Sequence, residues 1–129
     1  MKQKLEIIDL KTFVPAKDYE QSRRFFKEMG FEEVWTSANL SHLRWGSFGF
    51  LLQNFYNKEM AENLMLSMMV RDLEAWWAHL SALGLEKSYP GVCLTPPTDY
   101  SWGLREVHLI DPSGVLWHIS QQPKAKDEN

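Results

Sequence analysis

Two stretches of the chain space their apolar residues for a helix, and they do so in the same frame. In the first, Tyr19, Ser22, Phe25, Phe26 and Met29 fall on one face. Asp18 stands ahead of them as an N-cap, and Gln21, at the third helical position, completes a capping box. Gly30 is the expected stop. In the second, Leu73, Trp76, Trp77, Leu80 and Leu83 make the apolar face between a capping Asp72 and Gly84. Asp18, Glu20, Gly30 and Glu32 recur as Asp72, Glu74, Gly84 and Glu86, each displaced by 54 positions. A repeat longer than one element and present twice marks a duplicated module, because a solenoid needs three or more units. Two such modules face each other about a pseudo-twofold axis, and the groove between them is the natural place for a ligand.

The remaining pattern is that of strands. Residues 7–14 read as a strand ended by Pro15, and 32–37, 39–45 and 48–55 as three more, the last two joined by Gly46-Ser47. A polar linker is expected over 56–63. The second module starts with a strand at 64–70 and continues through its helix to a short strand near Lys87. An irregular stretch holding Pro90, Pro96 and Pro97 follows. The chain closes on a hairpin, 104–110 against 115–120, in which Asp111-Pro112-Ser113-Gly114 has the composition of a type I turn. The expected fold class is α+β: βαβββ twice, forming a curved mixed sheet within one domain over 1–129. The modules are expected at about 4–57 and about 62–122.

Composition narrows the function classes. At 129 residues, 44% hydrophobic and 24% charged, this is ordinary globular material. A net charge of −3 and a pI near 5.8 argue against a nucleic-acid partner, which would select a basic face. No apolar run approaches a membrane span and the start has no signal-peptide core, so no membrane partner and a cytoplasmic location are expected. Cys93 is the only cysteine, which excludes an internal disulfide; between Val92 and Leu94 it reads as a buried, inert thiol. The polar stretch 121–129, with Pro123, is expected to fray.

Strand alternation assigns candidate chemistry to one face. Leu116, His118 and Ser120 share a side of the last strand. If Asp111 pairs with Val115, His108 lies opposite His118 and Glu106 opposite Ser120, which gathers Glu106, His108 and His118. The matching face of the first module holds Lys11, Phe13, Leu51, Gln53 and Phe55, and the fifth strand adds Met65, Ser67 and Met69. Two readings of the imidazoles stand open: contacts to a ligand or a degenerate metal site, or neutral rings satisfied by each other and by Glu106. Among six tryptophans, Trp76, Trp77 and Trp117 read as core, whereas Trp35, Trp45 and Trp102 lie near strand ends or in a loop where a flat face stays exposed. Trp102 is either a stacking surface or a loop anchor.

Val14-Pro15-Ala16-Lys17-Asp18, Phe25-Phe26, Met29-Gly30-Phe31-Glu32 and the run from Leu109 through Asp111-Pro112-Ser113-Gly114 to Trp117 resemble the vicinal oxygen chelate superfamily. That superfamily includes glyoxalase I, extradiol dioxygenases, fosfomycin-resistance enzymes and bleomycin-resistance proteins. Pro15 before the first helix, together with Asp99-Tyr100-Ser101-Trp102-Gly103, is most similar to the bleomycin-resistance branch. The resemblance implies a glyoxalase/bleomycin-resistance-like fold. It carries the metal-ligand positions of the enzymes onto Lys11, Gln53, Met65 and His118. Lys11 and Met65 are poor ligands for a hard divalent ion and Gln53 is a weak one, so no metal and no cofactor are expected. What the resemblance then implies is a homodimer that binds and sequesters a planar or aromatic small molecule, such as a bleomycin-like antibiotic. Its clefts would be built from the first module of one chain and the second of its partner. The candidate ligand residues are Lys11, Trp35, Leu51, Gln53, Trp102, Glu106, His108 and His118. The alternatives are a metal-dependent lyase, isomerase or dioxygenase, and a regulatory or structural member without a ligand.

Overall fold

The computed structural model describes residues 4–123. In chain order the elements are β1 (Phe13–Pro15), α1 (Tyr19–Met29), β2 (Glu32–Thr36), β3 (Leu40–Trp45), β4 (Phe48–Gln53), α2 (Lys58–Asn63) and β5 (Met65–Val70). They continue with α3 (Leu73–Ala82), α4 (Leu85–Ser88), β6 (Cys93–Leu94), β7 (Thr98–Asp99), β8 (Arg105–Ile110) and β9 (Leu116–Gln121). The fold is α+β, with two mixed sheets of four and five strands. The first runs β1-β4-β3-β2 and the second β5-β9-β8-β6, with β7 also on β8. In each, the opening strand lies parallel to the closing one and the remaining pairs are antiparallel.

Both long helices start as their sequences predict. The Asp18 carboxylate accepts from the Gln21 amide and the Asp72 carboxylate from the Ala75 amide, each at 3.1 Å. The buried face of α1 is Tyr19, Ser22, Phe25, Phe26 and Met29. Gly30 follows at φ 130°, and a Cβ there would sit 2.5 Å from the Trp45 ring, so both conformation and close approach require glycine. On α3, Leu73 and Leu80 are buried, but Trp76 and Trp77 are only half-buried against the core and Leu83 is exposed.

The two halves share one core. The Phe26 ring of α1 lies 4.9 Å from Phe50 of the first sheet and 5.4 Å from Trp117 of the second. Phe26 is 1% exposed, and truncating such a side chain to alanine costs about 3–5 kcal/mol. Polar contacts close the same seam: the Lys17 amide donates to Ser113 Oγ at 2.9 Å, and His79 Nε2 donates to the Met29 carbonyl at 2.7 Å. The closing hairpin has the expected turn, with the Gly114 amide donating to the Asp111 carbonyl and the Asp111 amide to the Val115 carbonyl, each at 3.0 Å. The Asp111 carboxylate braces it, taking the Ser113 and Val115 amides and the Trp117 indole N–H.

Several expectations are corrected. The strand read over 7–14 is confined to Phe13–Pro15; Leu5, Ile7, Ile8 and Leu10 are 85–97% exposed, and no strand among the described residues pairs with them. The linker contains α2, capped by the Asn57 side chain and pinned by buried Ala61. The strand expected near Lys87 is α4, entered through Gly84 in the left-handed region. Cys93 is exposed rather than buried. Gln121 does not fray: it ends β9, its side chain accepts from the Leu73 amide, and 124–129 lie outside the described residues. Among the described residues no helix is long and apolar enough to cross a membrane.

Candidate functional site

On the second sheet β8 and β9 carry their polar residues in register. Glu106 lies opposite Ser120, and His108 opposite His118. Glu106 is 3% exposed and is the hub. Its Oε1 receives His108 Nε2 at 2.9 Å and His118 Nδ1 at 3.0 Å; its Oε2 accepts from Ser120 Oγ at 2.7 Å. Burial alone would raise the pKa of this carboxyl. Hydrogen bonds from His118, His108 and Ser120 outweigh that and hold it at about 2. A carboxylate only accepts, so the two nitrogens facing it carry the protons. His108 Nδ1 is then free to accept from the Tyr100 hydroxyl at 3.3 Å. His118 Nε2 faces Met65 Sδ at 3.4 Å.

A tight turn delivers the aromatic component. The Tyr100 amide bonds the Leu104 carbonyl, and Gly103, at φ 93°, bonds back to Tyr100. This lays Tyr100 on His108, with centroids 4.6 Å apart at 15°, and Trp102 on Tyr100, 4.7 Å apart at 10°. The result is a three-ring stack, Trp102–Tyr100–His108. Its outer ring, Trp102, is 57% exposed and ends the stack open.

The first sheet places its candidates differently. Lys11 and Gln53 line a groove of about 530 Å³ with Phe13, Phe55, Met60 and Leu64. The Lys11 ammonium is paired with Asp9. Leu51 lies across from both Phe13 and His42. Trp35, on β2, is 46% exposed and lies 6.0 Å from the His42 ring. His42 Nε2 is buried without a hydrogen-bond partner; burial lowers the pKa of this imidazole, and the Lys11 and Arg44 cations add to the effect. A larger groove of about 680 Å³, between Phe48 and Phe50 on one side and Leu66 and Met68 on the other, has Asp9 as its only titratable lining residue. It offers little chemistry beyond apolar contact.

The eight candidates therefore form two groups: Trp102, Glu106, His108 and His118 on the second sheet, and Lys11, Trp35, Leu51 and Gln53 on the first. Among the described residues no hydrogen bond, ion pair or ring contact joins the groups. Tyr100, Ser120 and His42 were not among the candidates. Alternation places Ser120 and His42 on these faces. Tyr100 had only its place beside Trp102 as a signal.

The profile of the glyoxalase/bleomycin resistance protein/dioxygenase superfamily matches residues 10–119. The chain belongs to that superfamily. A search of curated proteins found no match. Among solved structures, a bleomycin-binding protein complexed with bleomycin is similar at a TM-score of 0.78 and 20% identity, covering 91% of this chain and 100% of that one. A bleomycin resistance determinant encoded on transposon Tn5 is similar at 0.76 and 22% identity, covering 90% and 99%. Lactoylglutathione lyase from Agrobacterium tumefaciens is similar at 0.64 and 14% identity, covering 90% and 95%. At these identities the likeness establishes the fold.

Superfamily enzymes raise the question of a divalent metal. Of the positions where the resemblance places ligands, Lys11 is an ion-paired ammonium, Gln53 a neutral amide and Met65 a thioether, leaving one imidazole. Glu106, His108 and His118 do offer donor atoms within 4.8 Å of one another. The nitrogens aimed at Glu106, however, present protons rather than lone pairs. Neither set fits a hard divalent ion.

Proposed function

We propose that this chain is a binding protein that sequesters a planar aromatic small molecule, of the kind represented by bleomycin, without transforming it. The observation that carries this is the three-ring stack Trp102–Tyr100–His108, open at Trp102. A flat ligand that continues the stack gains about 0.5–1.5 kcal/mol beyond the area it buries. The Glu106 network holds His108, the innermost ring of the stack, before the ligand arrives, so little ordering remains to be done on binding. The similarity to a bleomycin-binding protein and to a bleomycin resistance determinant supports the reading, and the donor chemistry of the metal positions counts against the lyase-like alternative.

The functional unit we infer is a homodimer. Phe13 and Phe55 on the first face, and Met65 and Met69 on the second, are each 46–61% exposed in the single chain. A partner would cover them and bring a first-sheet face to a second-sheet one. Sedimentation at micromolar concentration should give twice the chain mass; a monomer would require both faces of one chain to serve the ligand.

The decisive experiment is a tryptophan-fluorescence titration with bleomycin, followed by a panel of other planar antibiotics, with metal analysis of the same preparation. Saturable quenching by at least one compound is expected, without stoichiometric zinc, iron, manganese or nickel. Trp102→Ala should weaken that compound ten- to a hundredfold, about 1–3 kcal/mol, and leave stability within about 1 kcal/mol. If nothing in the panel quenches, or if Trp102→Ala binds as well as the parent, the binding surface lies elsewhere.

A further inference from the structure

The shared core is open on one side. β1 runs beside only Leu51–Gln53 of β4, and β5 pairs only with β9. Among the described residues no strand therefore lies between Phe48–Phe50 and the outer edge of β5, and the groove of about 680 Å³ occupies that gap. Its walls are aromatic. Nearly buried Phe31, Phe50 and Trp117 form the floor. Trp45 and Trp76 stand together with centroids 4.7 Å apart, and Phe48, 81% exposed, makes the rim. The volume falls within the range of roughly 300–1,000 Å³ that small-molecule sites occupy.

These rings are held from behind. Trp45 packs against Gly30, where a side chain would strike its ring, and meets Phe31 edge-on at 5.4 Å. The Trp117 indole N–H is bonded to Asp111 at 3.1 Å, which leaves the ring only apolar surface to offer. Phe26, packed on both Phe50 and Trp117, sets the spacing of the two sheets. Walls fixed in this way keep the gap open and leave little to be ordered when it is filled. Water inside finds few polar partners, so an apolar molecule that displaces it gains affinity.

Charge selects the occupant further. Asp9 is the only titratable lining residue and is already paired with Lys11. A charged ligand would surrender its hydration with no free counter-charge to meet, whereas an uncharged ring system meets aromatic faces and edges. We propose that this groove is a second binding site, for uncharged aromatic molecules. It is separate from the stack: none of Trp102, Glu106, His108 and His118 lines it. On β9 Trp117 lines the groove, and His118, next in the chain, faces the opposite side of the sheet. The site therefore goes beyond the sequestration described above and does not depend on it.

The test uses N-phenylnaphthylamine, an uncharged dye that fluoresces in apolar surroundings, beside its anionic analogue anilinonaphthalene sulfonate. With the full chain, excitation of tryptophan should light the neutral dye by energy transfer and saturate at one dye per chain. The sulfonate should bind at least tenfold more weakly. Phe48→Ala, a truncation at an exposed rim, should weaken the neutral dye at least fivefold with an unchanged melting temperature. Trp102→Ala should keep the signal. Absence of a saturable signal would mean that the segment ending at Leu10, or a second copy, fills the groove instead, and would overturn the proposal. Equal affinity for the sulfonate or full affinity in Phe48→Ala would overturn it too. So would loss of the signal in Trp102→Ala, which would put the dye on the stack. The bleomycin titration is independent of these outcomes.

Discussion

The two sheets share the order of their first three strands and differ in the chemistry of the residues that pair across the two central ones. On the first, His42 of β3 lies opposite Leu51, and Leu40 opposite Gln53; on the second, His108 of β8 lies opposite His118, and Glu106 opposite Ser120. The two histidines occupy equivalent sites. One has a carboxylate two residues before it and is bonded at both nitrogens; the other has Leu40 in that place and a buried nitrogen with no partner. The pairing of the central strands is repeated, and the chemistry of the face follows from which neighbours are polar. That contrast places the organised half of the candidate site on the second sheet.

Copying the first sheet onto the second should have the largest effect. Glu106→Leu removes the acceptor of His108, His118 and Ser120, leaves buried donors unsatisfied and should destabilise the fold by about 2–4 kcal/mol in urea denaturation. Near-wild-type stability would show that the network contributes no net energy.

Acid should narrow that gap. The Glu106 pKa lies below its ordinary value of 4.5, at about 2, so its contribution of about 3 kcal/mol is complete above pH 4.5 and lost as pH falls toward 2. The difference between wild type and Glu106→Leu should shrink over that window and stay constant above it. A difference that persists at pH 2 would assign the effect to packing.

Comparing the two exposed tryptophans sharpens the contrast at the level of binding. Trp102→Ala should cost the quenching ligand at least tenfold in affinity. Trp35→Ala, whose ring lies beside His42 without a parallel partner, should cost about twofold, near 0.5 kcal/mol. Equal losses would place the ligand between the faces rather than on the stack.

The reverse transplant should be the mildest. Leu40→Glu sets a carboxylate two residues before His42 and should move its pKa from below its ordinary value to above it, read by NMR titration of the ring protons. Stability should change by less than about 1 kcal/mol. An unmoved His42 would mean that its nitrogen cannot be reached from Leu40.

How much of this was legible in the sequence follows from the range of the forces involved. The capped helices and the closing hairpin were readable because their signals are local: Asp18, Asp72, Gly30 and the Asp111–Gly114 turn act within a few residues. The turn also carried the register of His108 and His118, because one hydrogen-bonded pair fixes the rest of the strand. Residues 7–12 have strand-like composition, but a strand also needs a neighbour, and composition does not say whether one is present. The helix after Asn57 was hidden by a polar sequence that reads equally as linker. Trp76 and Trp77 illustrate the same limit, since helical periodicity gives the face of a residue but not how deeply that face is covered. Tyr100 was missed because its role depends on a ring eight residues along the chain and across a turn. The tautomers that give the site its character depend on contacts between strands, which no spacing encodes.

The contact between Phe26 and Trp117 has a further consequence. A duplicated sequence invites the idea of two miniature proteins joined by a linker, each able to stand alone. Phe26 and Phe50 belong to the first half and Trp117 to the last strand of the second, and their rings occupy one volume. Separating the halves would expose all three to water at once. Repetition in the sequence and packing in the molecule therefore have different units: what was copied was half a protein, and what shares a core is both halves.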